Sequence, residues 1–269
     1  MGASSPAPGR LSISLVLFHP DQAALAATLE ALVIACQAAQ VVPVLHLVDN
    51  GGASLPPGLV LPAGWRVVWH RGQGNVGFGR GHNLALAQLG QYHLILNPDL
   101  ELAPDALRHA LAFMDAHPDC GLLAPAARWA DGRLQYLCKR MPTLLDLLVR
   151  GFVPARLRKP FARRLARYEM QDLVNEHDVL WSPPIVSGCC MLFKSQALRA
   201  LGGFDPRFFL YFEDFDLSLR AGRITRIAYV PQVGVVHHGG HAARKGWHHI
   251  RLFGASARVF FQIHGWRWW

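Results

Sequence analysis

Four groups of residues in this 269-residue sequence have the types and spacing to do chemistry. Asp99 and Glu101 stand two positions apart just past an apolar run closed by Asn97-Pro98, where hard oxygen ligands can hold Mg2+ or Mn2+ against a diphosphate. The same residues suit a plain turn, since Asn and Asp bond to their own backbone. Glu213, Asp214 and Asp216 put three acids within four positions, set among Phe208, Phe209, Tyr211, Phe212 and Phe215. Such clustering is costly without a metal, a basic partner or a proton-transfer task, and it equally suits the first turn of a helix. Residues 72–83 (GQGNVGFGRGHN) carry five glycines in ten positions, so that the backbone can approach a ligand closely while Arg80 offers charge to a phosphate. A flexible loop is the other reading. The stretch is not a dinucleotide-binding fingerprint, because it does not follow the first strand, and it lacks the Gly-Lys-Ser/Thr of a P-loop. His237 and His238 offer imidazoles, but with His241 they do not make a zinc-site spacing.

The elements that must position these groups are legible from periodicity. Residues 11–18 read as a strand, 22–39 as a helix, and 44–48 as a second strand that ends in Asp49-Asn50. Short strands follow at 67–69 and 92–96, with a helical turn at 84–89 between them. Pro104 is expected at the first position of a helix running to about Ala116, with Asp105 in its first turn. A hairpin is expected from Arg128 to Leu137, turned at Asp131-Gly132. Residues 184–193 read as one strand, 195–201 and 214–220 as helices, and 227–231 as a final strand. Alternating strands and helices argue for a three-layer, mostly parallel α/β sheet with helices on both faces, and such sheets bind ligands at the carboxyl ends of their strands.

Composition narrows the class. About half the residues are apolar and 17% are charged, which excludes a disordered tail and predicts a sizeable core. The formal charge is +9, from 27 Lys and Arg against 18 Asp and Glu, so the molecule attracts anions. Five cysteines without regular spacing suit reduced thiols in a cytoplasmic compartment. The run 11–18 is too short for an export signal, Pro6 stands where myristoylation needs Ser or Thr, and no apolar stretch reaches the ~18 residues of a membrane span. Between Arg150 and Tyr168 lie seven Lys or Arg and no acid. This segment reads either as an amphipathic helix on an anionic membrane surface or as a solvated basic face. Trp266-Arg267-Trp268-Trp269 adds an aromatic and basic cluster suited to lipid interfaces or stacked bases.

Taken in order, "ISLVLFHPD", "LVDNGG", "GNVGFGRGHNLAL", "LILNPDLEL", "VSGCCMLFKSQALRALGGFDPRFFLYFEDFDLSLR" and "YVPQVGVVHHGG" resemble the inverting family-2 glycosyltransferases, in particular their bacterial rhamnosyltransferase-like branch, over residues 11–241. The resemblance implies the GT-A nucleotide-diphospho-sugar transferase fold. It places a flexible N-terminus at 1–10, the transferase domain at 11–241 with a basic helical insertion at about 143–170, and a basic, Trp-rich helical extension at 242–269. It implies that Phe18 and His19 end the first strand against the nucleotide, in place of the family's usual Thr-Tyr-Asn. Asp49 with Asn50 then meets base or ribose, and Asn75, Gly77, Phe78, Arg80 and Asn83 line nucleotide and diphosphate. Asn97 and Asp99 match the DXD element, which makes Asp99 the metal ligand with Glu101 a weaker second. Asp214 matches the general base beside Glu213, Gly188 flanks donor and acceptor, and His237 rather than His238 is the further metal contact.

The implied activity is metal-dependent inverting transfer of a sugar, rhamnose from dTDP-rhamnose, to a lipid-linked or polysaccharide acceptor. Mg2+ or Mn2+ is the implied cofactor, and no nucleic acid partner is expected. The implied place of action is the cytoplasm, peripheral on the inner face of the plasma membrane. Two other readings stand beside it. One is a non-catalytic basic protein on the same scaffold, bound to membrane or nucleic acid through Arg150–Arg167 and the Trp cluster. The other, a nucleotidyltransferase, more naturally carries a glycine-rich loop directly after the first strand.

Overall fold

The computed structural model describes residues 9–239 and 246–269. The expectations for residues 1–8, and for Gly240, His241 and the start of the extension at 242–245, lie outside the described residues.

The first half is a run of strand–helix units. β1 (Leu11–Leu17) leads into α1 (Gln22–Ala38), whose start is fixed by Asp21, its carboxylate accepting from Ala24 N at 2.9 Å. β2 (Val44–Asp49) and β3 (Arg66–His70) follow, then α2 (Phe78–Asn83), β4 (Tyr92–Leu96), β5 (Leu100–Leu102) and α3 (Ala106–Ala116). The second half is more irregular. It contains β6 (Cys120–Arg128), β7 (Leu134–Gln135), β8 (Cys138–Lys139), α4 (Leu144–Phe152), α5 (Ala162–Tyr168), β9 (Leu180–Trp181) and β10 (Ile185–Val186). Then come β11 (Cys190–Lys194), α6 (Ser195–Ala200), α7 (Glu213–Ala221), β12 (Arg226–His237) and α8 (Gly246–His264).

The main sheet runs β3-β2-β1-β4-β11-β6-β12-β5. Pairs β3–β2, β2–β1, β1–β4 and β6–β12 are parallel, while β11 runs antiparallel to β4 and β6, and β5 antiparallel to β12. This direction pattern builds the site. The carboxyl ends of β1, β2, β4 and β12 and the amino end of β11 all fall on one edge of the sheet. α1 and α3 cover one face over a core of Leu29, Leu32, Leu94, Leu107 and Leu111, and α2, α6 and α7 cover the other over Phe193, Leu198, Phe204 and Leu217. A third cluster joins Phe208 and Phe212 to Phe260 and Phe261 of α8 and Leu147 of α4.

Several local expectations need correction. Pro104 is not the first helical residue: Ala103 N donates to Gly234 O and Ala106 N to Ala103 O, which uses Pro104 and Asp105 in a turn before α3. Residues 184–193 are not one strand, because the chain leaves β10 at Ser187 and re-enters the main sheet at Cys190 as β11. The last strand does not stop at Pro231. A register shift between Val230 and Gly234 absorbs the proline as a bulge, and the strand continues to His237. The glycine-rich stretch is helical from Phe78 rather than a loop throughout. The 128–137 hairpin forms, with Ala127 opposite Gln135 and Gly132 at φ +84°.

Candidate functional site

Asp214 sits in the first turn of α7, after two consecutive non-glycine residues in the left-handed region, Tyr211 at φ +71° and Phe212 at φ +65°. Each such residue costs about 1–2 kcal/mol, and the cost is met by packing. Phe212 is buried against Phe253 and Phe260 of α8, Ser256 Oγ donates to Leu210 O at 2.7 Å, and the Tyr211 hydroxyl pairs with His249 Nδ1 at 2.9 Å. Further along α7, His264 and Arg220 both meet the buried Asp216, at 2.9 and 2.7 Å. α8 therefore clamps the segment that carries Asp214 from both sides.

The Asp214 carboxylate accepts from Gly188 N at 2.8 Å and from Phe215 N at 3.0 Å. Burial pushes its carboxyl up from the usual range, with the two N–H donors opposing. Glu213 is only 5% exposed and its Oε2 has no partner among the described residues. Burial, then the neighbouring Asp214 charge, holds its carboxyl well above the ordinary value. The ring edge of Phe78 and the Asp214 carboxyl both lie against Gly188.

The second acidic element is tied to the first through the break between β10 and β11. Gly188 N holds Asp214, and the carbonyl of the next residue, Cys189, accepts from Asn97 N at 2.9 Å. Burial pushes the Cys189 thiol up to about 12, and the charges of Asp99 and Asp214 both add to that shift. Asp99 faces His237, Oδ1 to Nε2 at 3.6 Å, and Asp99 Oδ1 and Asn97 Oδ1 are buried without hydrogen-bond partners among the described residues.

The tautomer of His237 follows from its neighbour. Gln135 Nε2 donates to His237 O at 2.7 Å, so Gln135 Oε1 is the atom facing His237 Nδ1 at 3.1 Å. An amide oxygen accepts there, which puts the imidazole proton on Nδ1 and leaves the Nε2 lone pair toward the Asp99 carboxylate. A lone pair facing a buried, unpartnered carboxylate oxygen is a donor set for a cation. Asp99 and His237 thus fit two ligands of a divalent ion; no group of three candidate ligands occurs among the described residues. Glu101 does not join them, since its Oε1 pairs with His238 Nε2 at 2.7 Å.

The residues expected on the nucleotide side gather at the ends of β1 and β2. Phe18 is half exposed, packs its ring tilted against His19 at 4.5 Å between centroids, and lies over Gly51. Asp49 Oδ1 accepts from Ala53 N and Gly51 N at 2.7 and 3.0 Å, contacts that hold its carboxyl below the usual range. Asn50 Nδ2 donates to Gly77 O at 3.0 Å and to Asn75 Oδ1 at 3.3 Å, and Asn75 Oδ1 also accepts from Gly77 N. Gly77 is required: at φ +87° any Cβ would lie 2.2 Å from Phe209 O. Arg80 Nε donates to Pro206 O at 2.7 Å from an exposed position. Asn83 departs from its expected role, because its amide is spent clasping Phe204 N and O at 2.9 and 2.8 Å.

Two residues important to this arrangement carried no signal of their own in sequence. Gln135 sits in the hairpin and sets the His237 tautomer from 102 positions away. Gly239 leaves open the space between Asp99 and His237.

No family model matches the chain. The chain is similar to the N-acetylglucosaminyl-diphospho-decaprenol L-rhamnosyltransferase of Mycobacterium tuberculosis, with 28% identity over 242 residues, 83% of this chain and 76% of that protein. It is also similar to rhamnosyltransferase WbbL of Escherichia coli, with 25% identity over 201 residues, 69% of this chain and 72% of that one. Among solved structures, the Pyrobaculum calidifontis mannosyltransferase PcManGT with GDP-Man and Mn2+ superposes with a TM-score of 0.59 at 17% identity, covering 91% of this chain and 61% of that one. GalNAc-T7 with UDP, GalNAc and Mn2+ gives a TM-score of 0.59 at 15% identity, covering 86% of this chain and 43% of that one. The chain therefore spans less than two thirds of each of these solved chains. The fold is GT-A, as the sequence motifs implied, and the resemblance to rhamnosyltransferases is borne out by the curated relatives.

Proposed function

We propose that this chain is a metal-dependent inverting glycosyltransferase that moves rhamnose from a nucleotide-diphosphate sugar, dTDP-rhamnose, to a hydroxyl of a lipid-linked acceptor in cell-surface glycan synthesis. The relative from M. tuberculosis supports a diphospho-polyprenol-linked N-acetylglucosamine as acceptor class. The observation that carries the reading is the Gly188-Cys189 link, which holds Asp214 through one peptide N–H and the Asn97–Asp99 turn through the next carbonyl. A binding-only protein has no use for two acidic elements tied in this way.

Asp214 accepts the proton of the acceptor hydroxyl as its oxygen attacks the anomeric carbon, a role that needs an ionised, partly desolvated carboxylate within hydrogen-bond reach. Displacement from the face opposite the leaving diphosphate inverts the anomeric centre. Asp99 and His237 hold Mg2+ or Mn2+, which when bound neutralises charge on the leaving diphosphate. Arg80 offers a guanidinium to the same group, and Asp49, Asn50 and Asn75 shape the seat of the nucleoside. No described helix is long and apolar enough to cross a membrane, and we place the enzyme in the cytoplasm, working at the inner membrane face.

The test is calorimetric titration with dTDP-rhamnose, UDP-sugars and GDP-sugars, with and without Mn2+, followed by transfer to polyprenyl-diphospho-N-acetylglucosamine with the product anomer read by NMR. Metal-dependent binding of dTDP-rhamnose and an inverted product are expected. Binding of none of the donors, or a product of retained configuration, refutes the reading.

A further inference from the structure

A second polar concavity lies beside Tyr168. It encloses about 290 Å³ and is lined by Arg140, Thr143, Arg164, Arg167, Tyr168 and Arg267, among others. That volume is near the lower bound of ligand pockets, ~300 Å³, and is ample for a diphosphate. Its charge is not self-cancelled. Arg164 pairs with the buried Asp146 at 2.6 Å, and Arg140 with Asp172 through two hydrogen bonds of 2.8 and 2.7 Å. The guanidinium groups of Arg167 and Arg267 make no ion pair among the described residues, so four cations face two carboxylates.

The walls are built rather than loosely draped. Thr143 and Asp146 form a capping box at the start of α4. The strand-like tail after α8 docks onto that helix start through its backbone, Leu144 N donating to Arg267 O at 2.8 Å and Leu145 N to Trp268 O at 3.2 Å. These bonds hold Arg267 over the pocket. Tyr168 is 3% exposed, and its hydroxyl has no partner among the described residues. Burial pushes that hydroxyl's pKa up, and the charge of Asp214 adds to the rise. Two apolar side chains complete the wall, Met141 and the exposed Trp269, and the elements that frame it, α4 and the docked tail, expose Leu148, Phe152, Trp266 and Trp268 as well.

We infer that this pocket binds the diphosphate of the acceptor, a sugar joined through that diphosphate to a long apolar alcohol. The inference rests on the transferase reading above and gives its acceptor a seat. Unpaired guanidinium forks match phosphate oxygens in pairs, Tyr168 supplies a hydroxyl group, and Met141 and Trp269 in the wall offer apolar surface to the alcohol. With the diphosphate anchored there, the attached sugar extends toward Asp214, whose sequence neighbours Phe212 and Phe215 pack in one cluster with Met141 of the pocket wall. A pocket of this size does not track an extended nucleic acid strand, which needs a groove of successive stacking platforms.

The test uses the full chain and the double variant Arg167→Gln/Arg267→Gln, with Arg167→Gln alone as a milder surface change should the double variant fold poorly. Calorimetry with inorganic pyrophosphate should show at least a tenfold loss of affinity in the double variant, a smaller loss in the single one, and unchanged affinity for dTDP. In transfer assays, the preference for polyprenyl-diphospho-N-acetylglucosamine over octyl N-acetylglucosaminide, taken as the ratio of KM values, should shrink by at least tenfold. Pyrophosphate affinity equal to that of the unaltered chain overturns the proposal. So does a loss confined to vesicles of phosphatidylglycerol, which marks the patch as a general membrane contact, or one confined to a single-stranded oligonucleotide. If neither protein transfers sugar but the variants still lose pyrophosphate, the anion pocket stands and the transferase reading falls.

Discussion

Gly239→Ala isolates the proposed cation site, because the new methyl enters the space between its two ligands and nothing else. An ideal Cβ at residue 239 would lie 2.2 Å from Asp99 Oδ2 and 2.9 Å from His237 Nε2, both closer than carbon packs against either atom. The backbone of Gly239 is not in the left-handed region, so alanine carries no conformational penalty there and the effect is steric. Relief of the first contact requires the Asp99 carboxylate to move by about 1 Å to reach ordinary carbon–oxygen contact near 3.3 Å. Metal sites tolerate errors of about 0.2 Å in ligand distance, at bond lengths near 2.0–2.2 Å for a small divalent ion. A displacement several times that tolerance should weaken Mn2+ by at least tenfold, or about 1.4 kcal/mol, within the ~10–100-fold range seen when support of a metal ligand is disturbed. Mn2+ affinity is measured by calorimetry and by electron paramagnetic resonance in the presence of dTDP, with thermal unfolding as a control on the fold. Mn2+ affinity equal to that of the unaltered chain would refute the placement of the ion between Asp99 and His237.

Three further outcomes are expected. Asp214→Asn should lower kcat by ~10²–10⁴-fold while leaving dTDP-rhamnose affinity within about threefold, the signature of a lost general base; near-normal turnover sinks that role. Glu213→Gln should become more stable relative to the unaltered chain as pH rises above the ordinary carboxyl range. The raised Glu213 value means that the folded state binds more protons than the unfolded one there, so the native carboxyl loses stability with rising pH and the amide does not. Urea unfolding from pH 4 to 8 reads this difference, and a gap that stays constant with pH contradicts it. Gly77→Ala should cost at least ~1–3 kcal/mol from its backbone conformation, before the 2.2 Å clash with Phe209 O is counted, and should lower the melting temperature by several degrees. An unchanged melting temperature would mean that the contact between residues 77 and 209 does not support the fold.

The chemistry-bearing residues were legible because strand ends are local events. Apolar runs closing on Asp49-Asn50 and on Asn97-Pro98-Asp99 mark the carboxyl ends of β2 and β4, and a parallel sheet puts such ends on one edge. The acids of residues 213–216 announced a helix start in the same way. α/β alternation could be read from periodicity and residue type alone, whereas α2 could not, because its glycines mask the helical turn. β6 was harder, since Pro125 interrupts an otherwise strand-like run, yet it pairs with Val230 near the middle of the sheet.

What periodicity cannot carry is pairing between distant segments. The break at Ser187-Gly188-Cys189 looks like a continuous strand in sequence, because the hydrogen bonds that divide it go to Asp214 and Asn97 rather than to neighbours. Whether Glu101 turned to Asp99 or to His238 depended on β5 pairing with β12, and the tautomer of His237 depended on Gln135 reaching it across the sheet. The basic segment at 150–168 kept two readings in sequence because charge has no direction along a chain. Its direction comes from the Thr143–Asp146 cap and from the docked tail, which bring Arg140, Arg164, Arg167 and Arg267 around one cavity. Residue type and local spacing determine which groups are able to act; the long-range hydrogen bonds and packing that only the folded chain can close determine which of them meet.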